Sequence, residues 1–163
     1  MLKKLALVGL LALIPVAAHA QTPLVTGAGP RLGFSSAPDQ LVLGGQLSIG
    51  GFAPDWTFDP SLEFGIGSDV TVISFNADAN YHFRINDTDW RPYLGGGLGI
   101  NSVSVDLPTP LRDVTRTELA LNLIVGVGVP TEANYSWFGE IRFGLGNDDA
   151  PAIKLVGGLN FKL

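Results

Sequence analysis

The sequence predicts an all-β protein, an eight-stranded antiparallel transmembrane β-barrel with short turns. Three observations carry that expectation. First, strand-like segments alternate large aliphatics with small or polar residues. Leu119, Leu121, Leu123, Val125, Val127 and Val129 alternate with Ala120, Asn122, Ile124, Gly126 and Gly128. So small a polar face does not suit a solvated exterior; it suits the narrow interior of a barrel whose outside meets lipid. Second, mean hydropathy over the 163 residues is positive. Yet past the leader no apolar run reaches the roughly 20 residues of a membrane helix. Third, the chain opens as an exported protein does. Lys3 and Lys4 precede an apolar stretch Leu5–Ile14, and Ala18-His19-Ala20 forms an A-x-A cleavage site before Gln21. An exported, apolar chain without a spanning helix can cross a bilayer only as a closed barrel.

Residues 1–20 are therefore expected to be a signal peptide cleaved after Ala20, and 21–163 a single barrel domain. No cysteine occurs, so neither disulfides nor a lipoprotein anchor are available. Removing Lys3 and Lys4 with the leader leaves eight basic against fifteen acidic residues, a net charge of −7. That balance argues against nucleic acid as a partner.

Turn-forming residues divide 21–163 into eight segments of spanning length, about 9–11 residues each. The first, 28–35, carries Arg31 on its polar face. In 40–52, Leu41, Leu43, Leu47 and Ile49 alternate with Gly44, Gln46, Ser48 and Gly50. In 56–67, Leu62, Phe64 and Ile66 alternate with Ser61, Glu63, Gly65 and Gly67. In 70–84, Ile73, Phe75, Ala77, Ala79, Tyr81 and Phe83 oppose Ser74, Asn76, Asp78, Asn80 and His82. In 91–104, Leu94, Leu98 and Ile100 oppose Tyr93, Gly95, Gly97, Gly99 and Asn101. Segment 115–129 is the one described above. In 135–146, Trp137, Ile141, Phe143 and Leu145 oppose Glu140, Arg142 and Gly144. In 152–163, Ile153, Leu155, Leu159, Phe161 and Leu163 oppose Lys154, Gly158, Asn160 and Lys162. The connections hold Pro, Asp, Asn, Gly or Ser, which break a ladder. An even strand count puts both termini on the periplasmic side. Connections 1, 3, 5 and 7 then face outward, the longest being Val105–Val114.

Two groups of site residues follow. Trp56, Trp90 and Trp137 sit at connections 2, 4 and 6, flanked by Tyr81, Tyr93 and Tyr135. Every Trp and Tyr thus falls at one end, as an interfacial girdle requires, although Tyr93 has lumen parity. Inward parity also collects a charge network of Arg31, Glu63, Asp78, Glu118, Glu140, Arg142 and Lys154. Glu118 and Lys154 lie nearer the exterior, and Arg84 nearer the periplasm. Enclosed opposite charges should pair, since an unpaired one costs several kcal/mol. Such a network reads as a plug that fixes register, against a gate or small-ion path, because eight strands leave an interior just filled by side chains.

Catalysis and cofactors find no support. Gly27-Ala28-Gly29 and Gly95-Gly96-Gly97-Leu98-Gly99 lack the strand–helix setting and the Lys-Ser/Thr of a nucleotide loop. His82, the one histidine after the leader, has lumen parity near the periplasmic end and reads as a hydrogen-bonded filler. No His/Cys cluster suggests a transition metal. Asp148-Asp149 reads as a solvated acidic loop rather than a calcium site. No catalytic, metal or cofactor residue is expected.

Arg91-Pro92-Tyr93-Leu94-Gly95-Gly96-Gly97-Leu98-Gly99, the Phe138–Gly146 segment and the C-terminal strand resemble the small outer-membrane β-barrels of Gram-negative bacteria: OmpX, Ail, the opacity proteins and the OmpA membrane domain. The resemblance spans all of 21–163. Gly158, Phe161 and Leu163 match the spacing of the assembly signal. Leu replaces the usual terminal Phe, and Val156 occupies a position usually polar. The resemblance implies an outer-membrane location, lipid as the surrounding partner, and insertion by the assembly machinery after periplasmic chaperone escort. It also implies a non-enzymatic role in envelope integrity or surface interaction, with a surface ligand unspecified. The expected form is a monomer. The alternatives are a narrow channel for small ions or solutes and a soluble periplasmic lipocalin-like ligand binder. Short loops weight the first reading toward a structural role.

Overall fold

The computed structural model describes residues 24–36, 39–68, 70–105, 114–146 and 153–163. They form eight strands: β1 (Leu24–Ser36), β2 (Asp39–Gly50), β3 (Trp56–Ile66), β4 (Val70–His82), β5 (Arg91–Val105), β6 (Val114–Pro130), β7 (Tyr135–Gly146) and β8 (Ile153–Lys162). Each pairs antiparallel with the next, and β8 closes on β1. Closure removes the unpaired edges that an open sheet would expose. The expected leader, its cleavage site and Asp148-Asp149 lie outside the described residues, as does most of the long Val105–Val114 connection.

The period-2 alternation sets which face turns inward. Large apolar residues stand exposed on every strand, from Leu32 and Phe34 on β1 round to Ile153 and Leu155 on β8. Buried residues between them are largely polar or charged. Apolar side chains nevertheless share the interior, Val42, Val72, Tyr93, Val103, Ala120, Ile124 and Val156 among them. They have the same strand parity as the buried charges, so the lumen is a mixed core rather than a purely polar one.

β1 begins at Leu24, four residues before the expected start. Pro30 lies inside the expected segment, and the observed strand also takes in Gly27. A bulge between Val25 and Gly27 shifts the β1–β2 register, and Thr26 Oγ1 donates to the Ser48 carbonyl at 3.1 Å. Pro30 pairs with Gly45 on β2, whereas the β1–β8 register is interrupted between Ala28↔Phe161 and Arg31↔Gly158. Pro60 behaves alike on β3. It pairs with Ala77 on β4, while β2–β3 is interrupted between Gln46↔Ser61 and Ile49↔Phe58. A proline has no N–H to donate, so each ladder fails on the side where that donor would have pointed.

The connections at the Trp end are tight. Gly51 and Asp55 take positive φ of 82° and 61° between β2 and β3. The Asp55 carbonyl accepts from His82 N at 2.8 Å, and its carboxylate takes Arg84 Nε at 2.6 Å.

Candidate functional site

The lumen brings six charged side chains together at mid-barrel: three cations, Arg31, Arg142 and Lys154, and three carboxylates, Glu63, Asp78 and Glu140. Five of the eight strands supply them, and all six are buried. Arg31 Nε lies 3.1 Å from Glu63, and its Nη2 donates to Glu140. Arg142 is the hub. Its Nε lies 2.8 Å from Glu140, its Nη2 donates to Asp78, and its Nη1 lies 3.8 Å from Glu63. Lys154 Nζ donates to Glu63 at 2.7 Å. The set is formally neutral. Neutral partners add to the cluster: Tyr93 Oη donates to Glu140 at 2.8 Å, Asn122 to Asp78 at 3.1 Å, and Arg31 to Gln46 at 3.2 Å. Buried charges persist when paired and hydrogen-bonded in this way.

Glu118, expected in the same network, faces the lumen and is buried but stands apart from it. Its Oε2 has no hydrogen-bond partner. It pairs in register with Asn101, nearer the far end of the barrel than the hub. Arg84 is exposed and bonds Asp55 at the Trp end.

Toward the Trp end a polar chamber of about 80 Å³ opens below the charge cluster, bordered by Ser48, Asp59, Asn80, His82, Tyr93 and Phe138 among others. Asp59 is its centre. Asp59 accepts from Ser48 Oγ, from Thr57 Oγ1 at 2.5 Å and from Asn80 Nδ2 at 2.6 Å. Thr57 Oγ1 also lies 3.0 Å from His82 Nε2. Since the Thr57 hydroxyl gives its one proton to Asp59, His82 must be the donor of that contact. In that arrangement His82 is tied by a hydrogen bond to Thr57 inside the lumen. Asp59 and Thr57 went unnoticed as lumen residues, although they continue the parity of Glu63 and Ser61. Among the described residues no cluster of His, Cys, Asp or Glu is arranged to hold a metal ion.

Two inward aromatics sit over glycines directly across the ladder. Tyr93 pairs with Gly126, where an added Cβ would come within 2.6 Å of Tyr93 Cε2. Phe138 pairs with Gly158, where a Cβ would meet the Phe138 ring at 2.7 Å. The Arg31 guanidinium stands over the other part of this layer, 5.8 Å from the Phe138 centroid. Gly158, expected as part of an assembly signal, thus also makes room for an inward ring.

Two groups of outward aromatics gather at the Trp end. Trp56, Tyr81 and Phe83 pack in series, tilted and then edge to face, with centroids 5.4 and 5.0 Å apart, and Trp90 is exposed on the approach to β5. Tyr135 packs against Trp137 and Phe161 at 6.2 and 6.1 Å. Leu163 ends the chain beside them, exposed, its N–H on the Thr26 carbonyl at 3.2 Å. Tyr93 does not belong to this girdle. It is 5% exposed, with its hydroxyl on Glu140, because its strand parity turns it inward.

The chain shares its fold with small outer-membrane barrels. The N-terminal β-barrel domain of Pseudomonas aeruginosa OprF matches with a TM-score of 0.70 at 15% identity, covering 87% of this chain and 100% of that domain. Neisserial surface protein A matches with a TM-score of 0.60 at 22% identity, covering 85% of this chain and 94% of its own. A de novo designed transmembrane β-barrel matches at 0.57 and 14% identity, covering 88% and 100%. No protein-family model matches the sequence, and no curated protein matches it. At these identities the likeness is one of fold, and fold does not by itself imply function.

Proposed function

We propose that this chain is a non-enzymatic integral barrel of the outer membrane, with a structural, envelope-integrity or surface-interaction role. The observation that carries this reading is the pairing of an apolar exterior with a closed interior crossed at mid-barrel by paired charges. Large apolar side chains stand 38–67% exposed around the barrel wall, among them Leu119 and Leu121 on β6, Phe34 on β1 and Leu155 on β8. A water-soluble barrel of lipocalin type needs the reverse arrangement. The outward Trp and Tyr side chains at one end support a periplasmic interface there, since their rings are apolar and their N–H or O–H can stay wet.

The interior supports a plug rather than a pore. Arg142 joins three carboxylates at mid-barrel, and Val42, Val72, Val103 and Val156 add apolar bulk in the lumen beyond it. The test has two parts. Membrane fractionation with heat-modifiable gel mobility is expected to recover a membrane-bound band that shifts only on boiling; a soluble, unshifted protein overturns the membrane reading. In planar bilayers no reproducible open channel is expected. A channel that changing Arg142 abolishes overturns the plug and makes the lumen a conducting path.

A further inference from the structure

The wall between β2 and β3 separates two spaces at the point where its ladder fails. The β2–β3 register is interrupted between Gln46↔Ser61 and Ile49↔Phe58, the stretch where Pro60 presents no N–H to β2. Inside this gap lies the polar chamber that Gln46, Ser48 and Asp59 help to enclose. Outside it lies a groove of about 450 Å³ over Leu47, Pro60, Leu62, Phe64 and Phe75. The groove exists because Gly45 is exposed and has no side chain; a Cβ there would meet only the Gly29 carbonyl oxygen, at 3.7 Å. Gln46 borders both spaces, so the wall between them is a single strand thick.

A side chain bridges the gap where the backbone does not: Ser48 Oγ donates to Asp59. A hydroxyl rotates freely, so this link can be exchanged for another donor without moving either strand. Asp59 accepts three neutral or weakly polar donors, and among the described residues it forms no ion pair. A half-enclosed carboxylate of this kind favours a positively charged donor over a neutral one, and a neutral one over an anion.

We propose that this stretch is a lateral portal that binds a single-chain amphiphile, its apolar chain in the outer groove and its cationic head reaching Asp59 through the gap. The proposal rests on the reading that the outer wall faces lipid, and adds to it a ligand class and a site. Both spaces, the interrupted ladder and the uncompensated carboxylate meet at one level of one seam. The groove supplies no charged group, so chain binding is apolar and head recognition falls to Asp59.

The test is equilibrium binding of radiolabelled dodecylamine, dodecanol and dodecanoate to the refolded protein in phospholipid nanodiscs, with empty nanodiscs as the blank. Saturable binding is expected, with dodecylamine about tenfold tighter than dodecanol, the worth of a charge-assisted hydrogen bond. Asp59→Asn should erase the preference for the amine. Gly45→Phe fills the groove from outside, leaves the lumen untouched and should remove saturable binding of all three. Binding no greater than in empty discs overturns the portal, as does binding that survives Gly45→Phe or dodecanoate binding as tight as dodecylamine. If Asp59→Asn does not fold, Gly45→Phe and the order of the three probes still decide. Heat-modifiable mobility is scored on the same samples, so a shifting band without binding sinks the portal and leaves the membrane reading intact.

Discussion

Tyr93 illustrates how one lumen side chain depends on two neighbours of different kinds. Its ring needs the bare backbone of Gly126 across the ladder, and its hydroxyl needs Glu140. Gly126→Ala puts a methyl group against the ring and pushes the hydroxyl off its acceptor; overpacking of this kind costs about 1–3 kcal/mol. The loss is expected in urea unfolding of the protein in lipid vesicles, and unchanged stability would mean the ring has room elsewhere. Arg142 is a stronger case because three carboxylates share it. Arg142→Met leaves Asp78 with only the neutral Asn122, while Glu140 keeps Arg31 and Tyr93, and should destabilise by about 3–5 kcal/mol, the usual cost of breaking a buried pair from one side. Adding Asp78→Asn removes one stranded charge, so the double variant should lose less than the sum of the two single losses. Additive losses in the same unfolding assay would show that the two groups are not coupled.

At the scale of strands, the prolines decide where the barrel is weakly sewn. Pro60→Thr supplies the missing N–H on the β2 side with a residue that suits a strand, and the new ladder bond should stabilise by about 0.5–1.5 kcal/mol. Higher urea resistance is the expected result; an unchanged midpoint would mean that the strands are held apart by something other than the missing donor. Most strand boundaries were legible because a narrow lumen admits only small, polar or paired side chains on alternate positions, which makes the period-2 signal strong. It was weakest at the start of β1, where residues 24–27 lack a clear alternation and the ladder bulges between Val25 and Gly27. Pro60 masked Asp59 and Thr57, since a proline inside a segment draws attention to interruption rather than to parity. Tyr93 was misplaced because residue type pointed to the interface while parity pointed inward, and parity governs. Parity put Glu118 on the correct face but could not give its height or reach, which depend on the register between strands.

For the whole molecule, the decisive property is that its apolar surface and its charged core have exchanged the places they hold in a soluble barrel. This arrangement makes the cost of a surface charge depend on depth. Leu121 and Thr117 lie on the same face of β6, four residues or two alternations apart, and both are exposed. Leu121 pairs with Leu98 and Leu145 in the middle of the apolar wall, whereas Thr117 pairs with Ser102 among hydroxyl-bearing residues toward the end away from the tryptophans. An arginine at a bilayer midplane costs about 2–4 kcal/mol on a barrel's lipid face, falling to about 0–1 near the interface. Leu121→Arg should therefore destabilise the protein in lipid vesicles by about 2–4 kcal/mol, and Thr117→Arg by about 1 or less. Neither substitution touches the lumen, so a difference between them reports the surroundings of the wall and not its packing. In water both arginines would be solvated and both changes close to neutral. Equal, small losses at the two positions would thus remove lipid from around Leu121 and with it the outer-membrane reading, while a graded loss locates the hydrocarbon core along β6.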